Sequence, residues 1–84
     1  MSTLIDLHTH TTASDGLLAP AALLERARAA ELSAIGITDH DTASGVREAL
    51  AGPRPAGLEV IPGIEVSSYV GERELHVLGY FIDP

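Results

Sequence analysis

Two short apolar runs each lead directly into a polar segment that carries histidine: Thr3-Leu4-Ile5-Asp6-Leu7-His8, apolar as a buried parallel strand tends to be, and Leu32-Ser33-Ala34-Ile35-Gly36-Ile37-Thr38. Between them, Pro20 suits a first helical position, and Leu23, Leu24, Ala27 and Ala30 recur at helical spacing as far as Glu31. A strand, a helix and a strand in that order make a βαβ unit, which fixes a parallel pair and a right-handed crossover. Both polar segments then fall at strand C-terminal ends, the edge where parallel α/β folds place their sites. This order leaves few architectures open.

The first polar segment is His8-Thr9-His10-Thr11-Thr12-Ala13-Ser14-Asp15-Gly16. Strand residues two apart project from one face, so His8 and His10 can aim both imidazoles at one spot, and Asp15 can add an oxygen from the loop. The second segment, Asp39-His40-Asp41-Thr42, brings a third imidazole to the same rim. Asp41 or Thr42 can cap a second helix, 43–51, which carries Val46, Ala49 and Leu50 inward and ends at Gly52-Pro53-Arg54-Pro55. A third strand starts at 58–61, and after Pro62-Gly63 the chain continues over 64–68. A turn around Gly71-Glu72-Arg73 leads to a fourth strand, 74–81, with His76 in its middle. Glu65 stands between Ile64 and Val66, where a carboxylate is costly unless a cation accompanies it.

Each of these residues has a plain structural reading when taken alone. Asp15 before Gly16 is a common turn pair, Asp39 and Asp41 can bind nearby backbone, and His76 can be a hydrogen-bonded core histidine. Together they say more, because all four histidines fall in or at the ends of strands with Asp15 and Glu65. There is no cysteine, so any metal must sit among imidazoles and carboxylates. Such ligands suit Mn²⁺, Zn²⁺ or Fe²⁺, and more than four of them imply more than one ion.

Charge narrows the functional classes further. Twelve acidic residues against five arginines give a formal charge of -7, which argues against a nonspecific phosphate-binding or duplex nucleic acid surface unless bound cations reverse it locally. No run approaches the roughly 18 to 20 apolar residues of a membrane span, and no basic region precedes an apolar one, so the expectation is a cytoplasmic protein with no membrane partner. Eighty-four residues allow one small domain, with a thin core built from Ala, Leu, Ile and Val.

The motifs Ile5-Asp6-Leu7-His8-Thr9-His10-Thr11 with Ser14-Asp15-Gly16, Ile37-Thr38-Asp39-His40-Asp41-Thr42, Pro62-Gly63-Ile64-Glu65 and His76-Val77-Leu78-Gly79-Tyr80 closely resemble those of the PHP (polymerase and histidinol phosphatase) family. Within it the chain looks most like small phosphoesterases acting on nucleoside 3',5'-bisphosphates and short oligonucleotides. The resemblance implies the N-terminal portion, about βαβαββ, of a distorted (β/α)7 barrel of the α/β class, with up to three divalent ions at its C-terminal rim. It implies that His8 and His10 hold a first ion, that Glu65 bridges first and second, that His76 binds the second, and that Asp15 and His40 hold the third.

Asp39 is expected, on the same resemblance, to orient an imidazole from behind. Glu65, His8, His10 and His40 would carry catalysis, in which a metal-activated hydroxide attacks phosphorus in line. Family members complete the cluster with a later histidine or cysteine and an Asp-x-His motif, so the remaining barrel segment is expected to be required. Two departures concern α-helix ends. Ala19 replaces a capping Ser or Thr before Pro20, and Glu31 stands where a Gly often ends the helix. Two other readings stay open here: a PHP lobe that binds metal without turnover inside a larger protein, and a structural module whose histidines are incidental.

Overall fold

The computed structural model describes residues 4–84, so the expected start of the first strand at Thr3 lies outside the described residues. The element order is β1 (Leu4–Thr9), α1 (Pro20–Ala29), β2 (Leu32–Ile37), α2 (Ser44–Ala51), β3 (Glu59–Val70) and β4 (Arg73–Tyr80). The strands form one mixed sheet in the order β1-β2-β3-β4. β1 with β2 and β2 with β3 are parallel, whereas β3 and β4 run antiparallel. The sheet curls into a half-barrel.

The core lies between the helices and β2–β3. Leu24 and Ala27 of α1 and Val46 and Ala49 of α2 pack with Ile35, Ile37, Leu58 and Val60, while Leu23, Leu32 and Leu50 close its margin. The spacing of Pro20, Leu24 and Ala27 puts them on one stripe of α1, and that stripe is what is buried. Ala30, expected on the same stripe, is exposed because α1 ends one residue earlier. Glu31 turns the chain with φ at 61°, in the left-handed conformation that costs a side chain more than it costs glycine.

Two expectations about elements are corrected. β1 was expected to be a buried parallel strand, yet Leu4, Ile5 and Leu7 are 58%, 59% and 43% exposed. An apolar run predicts burial only where neighbours cover both faces, and β1 is the sheet edge. Through Pro62-Gly63 β3 runs unbroken for 12 residues. Its first part pairs with β2 and its second with β4, so the chain changes partners at this dipeptide and keeps its direction.

Pro62, which has no N–H to give, accepts from Phe81 N–H at 2.6 Å through its carbonyl. Gly63 permits the exchange, because a Cβ there would sit 2.8 Å from Thr38 Cγ2 and 2.9 Å from the Gly79 carbonyl oxygen. Finally, neither Asp41 nor Thr42 occupies the cap position of α2. That position is Ala43, without a side-chain cap. Thr42 Oγ1 does accept from Ser44 N–H at 3.2 Å, but the Asp41 carboxylate turns away and accepts from Ser67 N–H at 2.9 Å.

Candidate metal centre

The rim where β1, β2 and β3 end collects the polar segments. In β1 the pairing slips between Asp6, opposite Ile35, and Thr9, opposite Ile37, so three steps of β1 match two of β2. This bulge re-aims the strand end, as bulges beside sites commonly do. Beyond β2 the chain keeps touching β3: Glu65 N–H donates to the Asp39 carbonyl at 3.0 Å and Asp41 N–H to the Glu65 carbonyl at 2.8 Å. Asp41, with φ at 53°, turns the loop away at that point, and His40 is left bridged directly to Glu65.

Glu65 is the hub of the resulting cluster. Its side chain is only 7% exposed, and all four imidazoles of the chain surround it. His8 Nε2 and His10 Nε2 both lie 2.8 Å from Oε1, while His76 Nδ1 lies 2.7 Å and His40 Nδ1 3.9 Å from Oε2. Asp15 joins from the loop, with Oδ1 2.6 Å from His10 Nδ1 and Oδ2 3.1 Å from His40 Nε2. Neighbouring rings stand with centroids 5.1 Å (His8 and His10), 4.4 Å (His10 and His40) and 5.7 Å (His40 and His76) apart. All six sequence-predicted ligands therefore meet in one place.

The titration of these groups reflects that crowding. Hydrogen bonds led by His8 hold Glu65 down at about 2, against burial, with His10, His40 and His76 adding to the effect. Burial works to lower His10, but its hydrogen bonds to Glu65 and Asp15 and their charges prevail and raise it. For Asp15 burial works upward, and the hydrogen bond and charge of His10 with the charge of His40 prevail to lower it.

Asp39 does not do what was expected of it. The fully buried carboxylate accepts from Thr11 N–H at 2.6 Å, Thr11 Oγ1 at 2.7 Å and Ser14 Oγ at 2.8 Å, and it faces no imidazole. Its task is to fasten the loop that follows His10 and leads to Asp15. Gly45 of α2 makes room for the knot, because a Cβ there would run into both Asp39 Oδ2 and Thr11 Oγ1. Thr11 and Ser14 were missed by sequence reasoning, although two hydroxyls beside His10 and Asp15 were the available signal. Glu74 was also missed. It lies two residues before His76 on the same strand, with Oε1 3.2 Å from His76 Nε2.

Three overlapping sets of ligand atoms lie within 4.8 Å of one another: His8, His10 and Glu65; His10, Asp15 and His40; His40, Glu65 and His76. Imidazole nitrogen and carboxylate oxygen in this number fit divalent transition ions, and a buried ionised carboxylate needs the positive charge they bring. A surface cavity of about 620 Å³, lined by Arg28, Glu31, Leu32 and Leu58 among others, contains none of these groups.

A histidine and carboxylate cluster on the rim of an α/β half-barrel defines a class of metal-binding barrel. Residues 6–79 match the PHP domain, and the chain belongs to that family. It is 41% identical over 78 residues to the 5'-3' exoribonuclease of Haemophilus influenzae, covering 93% of this chain and 28% of the relative. Against the 3',5'-nucleoside bisphosphate phosphatase of Chromobacterium violaceum it is 40% identical over 80 residues, covering 95% of this chain and 28% of the relative. A solved amidohydrolase from Chromobacterium violaceum, with bound sulfate and no metal, superposes with a TM-score of 0.86 at 40% identity, over 95% of this chain and 28% of that one. The chain thus spans 28% of the length of these relatives.

Proposed function

We propose that this chain forms part of a metal-dependent phosphoesterase that hydrolyses a phosphate ester of a nucleoside 3',5'-bisphosphate or a short oligonucleotide. The observation that carries the reading is Glu65, a buried carboxylate kept ionised and ringed by every imidazole of the chain. The names of the relatives, a 5'-3' exoribonuclease and a 3',5'-nucleoside bisphosphate phosphatase, support the substrate class. In this reading His8, His10 and Glu65 would hold one ion, Glu65 and His76 a second, and Asp15 with His40 a third, the ions being Mn²⁺, Zn²⁺ or Fe²⁺. A further barrel segment completes the site.

Bound divalent ions would supply an activated water and neutralise the charge growing on the phosphoryl oxygens. The chain's own residues prepare for this. Glu65 and Asp15 place two negative charges where a phosphate must dock, so docking without cations meets repulsion. Held ionised, Glu65 costs no proton release when it becomes a ligand, whereas at His10, whose affinity for protons is raised by Glu65 and Asp15 against burial, protons compete with an ion. Asp39 keeps the Thr11 to Ser14 loop fixed, so Asp15 arrives in place.

The test is phosphate release from a nucleoside 3',5'-bisphosphate with Mn²⁺, using the chain within its completed barrel. Release that stops with a chelator and in Glu65→Gln supports the proposal. Tight Mn²⁺ binding without release of phosphate from any phosphomonoester would contradict it and favour the metal-binding lobe.

A further inference from the structure

We propose that Tyr69 is a stacking platform for the base of the substrate, so that the site selects phosphate esters that carry a nucleobase. This rests on the proposed function and adds to it a residue outside the metal cluster. β3 continues past Glu65 after β2 has ended: the last pair of β2 is Ile37 with Pro62, His40 is bridged to Glu65, and from Val66 onward only β4 pairs with β3 among the described residues. A two-stranded ribbon therefore stands above the rim. Along it Glu65 lies opposite Leu78, Ser67 opposite His76 and Tyr69 opposite Glu74, with no slip in register. Residues two apart on a strand share a face, as do residues directly opposite, so Tyr69 stands on the face that carries Glu65 and His76. Contacts along that face agree, with His76 Nδ1 2.7 Å from Glu65 Oε2 and His76 Nε2 3.2 Å from Glu74 Oε1.

Tyr69 is 67% exposed, and its hydroxyl has no hydrogen bond among the described residues, whereas the hydroxyl of Tyr80 donates to the Leu7 carbonyl at 2.9 Å. Diagonal neighbours across an antiparallel pair lie about 7 to 8 Å apart, which puts Tyr69 one step from His76 and lets the sugar of one nucleotide span from a phosphate at the ions to the ring. The charges say which part of a substrate lies there. Beyond the candidate ligands this face of the ribbon carries Ser67, Tyr69 and Glu74 and no cation, because Arg73, opposite Val70, leaves the other side. A second phosphate would meet the Glu74 carboxylate with nothing to pair with. A neutral base meets an aromatic ring instead, and such stacking accepts any base because every base has a π-face.

The test uses the chain within its completed barrel, loaded with Mn²⁺, and two ligands whose C–P bonds resist hydrolysis. One is the methylenephosphonate analogue of adenosine 3',5'-bisphosphate, and the other is its counterpart with hydrogen in place of the base. Calorimetric titration of the parent should show the adenosine analogue bound more tightly. Tyr69→Ala should weaken the adenosine analogue by about 5 to 150-fold, the span for losing one stacked base, and leave the base-free ligand unchanged. Tyr69→Phe, which keeps the ring, should bind both as the parent does. No preference for the adenosine analogue in the parent, whether both ligands bind or neither does, would overturn the proposal, as would a preference that survives in Tyr69→Ala. Equal loss of both ligands in Tyr69→Ala with a lowered Tm would overturn it too, by showing a merely structural role. A preference that depends on Tyr69 in a protein that releases no phosphate from the bisphosphate itself would uphold the stacking and sink the enzyme reading.

Discussion

Glu65 was legible as an anomaly in the sequence, a carboxylate between two branched aliphatics, and the structure makes it the common partner of His8, His10, His40 and His76. Asp39 was expected behind an imidazole and binds Thr11 and Ser14 instead. What it fastens depends on a hydroxyl pair 25 and 28 residues away, and no local pattern announces such a contact. The pairings at Glu65 and His10 also set how the metal-free chain responds to pH. Glu65 falls from 4.5 to about 2, so the stability it contributes is fully present above pH 4.5 and is lost as pH drops toward 2. His10 is raised above 6.5, so its contribution is fully present below pH 6.5 and is lost as pH climbs through the raised value. The metal-free Tm should therefore be highest between pH 4.5 and 6.5 and decline on both sides. Ion binding needs bare nitrogens, so the Tm gained on adding Mn²⁺ should grow from about pH 6 to about pH 8. A metal-free Tm that rises steadily to pH 8, or a Mn²⁺ gain that shrinks over that range, would contradict this.

At the scale of elements, the order of strands and helices followed from apolar spacing, because each short run lies between clear turn or helix signals. The βαβ core of β1, α1 and β2 was readable for that reason. Two features depended on partners and were not readable. The bulge in β1 exists only relative to β2, and the continuity of β3 through Pro62 exists only because β4 replaces β2 as its neighbour there. Helix ends were closer to the surface of the sequence. Ala19 occupies the N-cap of α1 in extended conformation, ψ 156°, and offers no side-chain oxygen to the first turn. Ala19→Ser should raise stability by about 1 kcal/mol, read by urea denaturation at constant m-value. No gain would mean that the first turn of α1 is already satisfied by other donors and acceptors.

On the scale of the whole molecule, the half-barrel presents apolar side chains on β1 and on the β3–β4 ribbon, including Ile5, Val66, Leu75 and Val77. The relatives contain more than three times this length. The acidic balance of -7 bears on the same scale, since it favours divalent cations over bare anions at this rim. The account as a whole depends on the imidazoles and carboxylates acting together on ions through Glu65. Equilibrium dialysis against Mn²⁺ followed by elemental analysis, on the parent chain and on Glu65→Gln, tests this most directly. The parent should retain more than one equivalent of Mn²⁺ per chain, and Glu65→Gln should lose most of it. Equal metal content in the two, or none in the parent, would contradict the central claim.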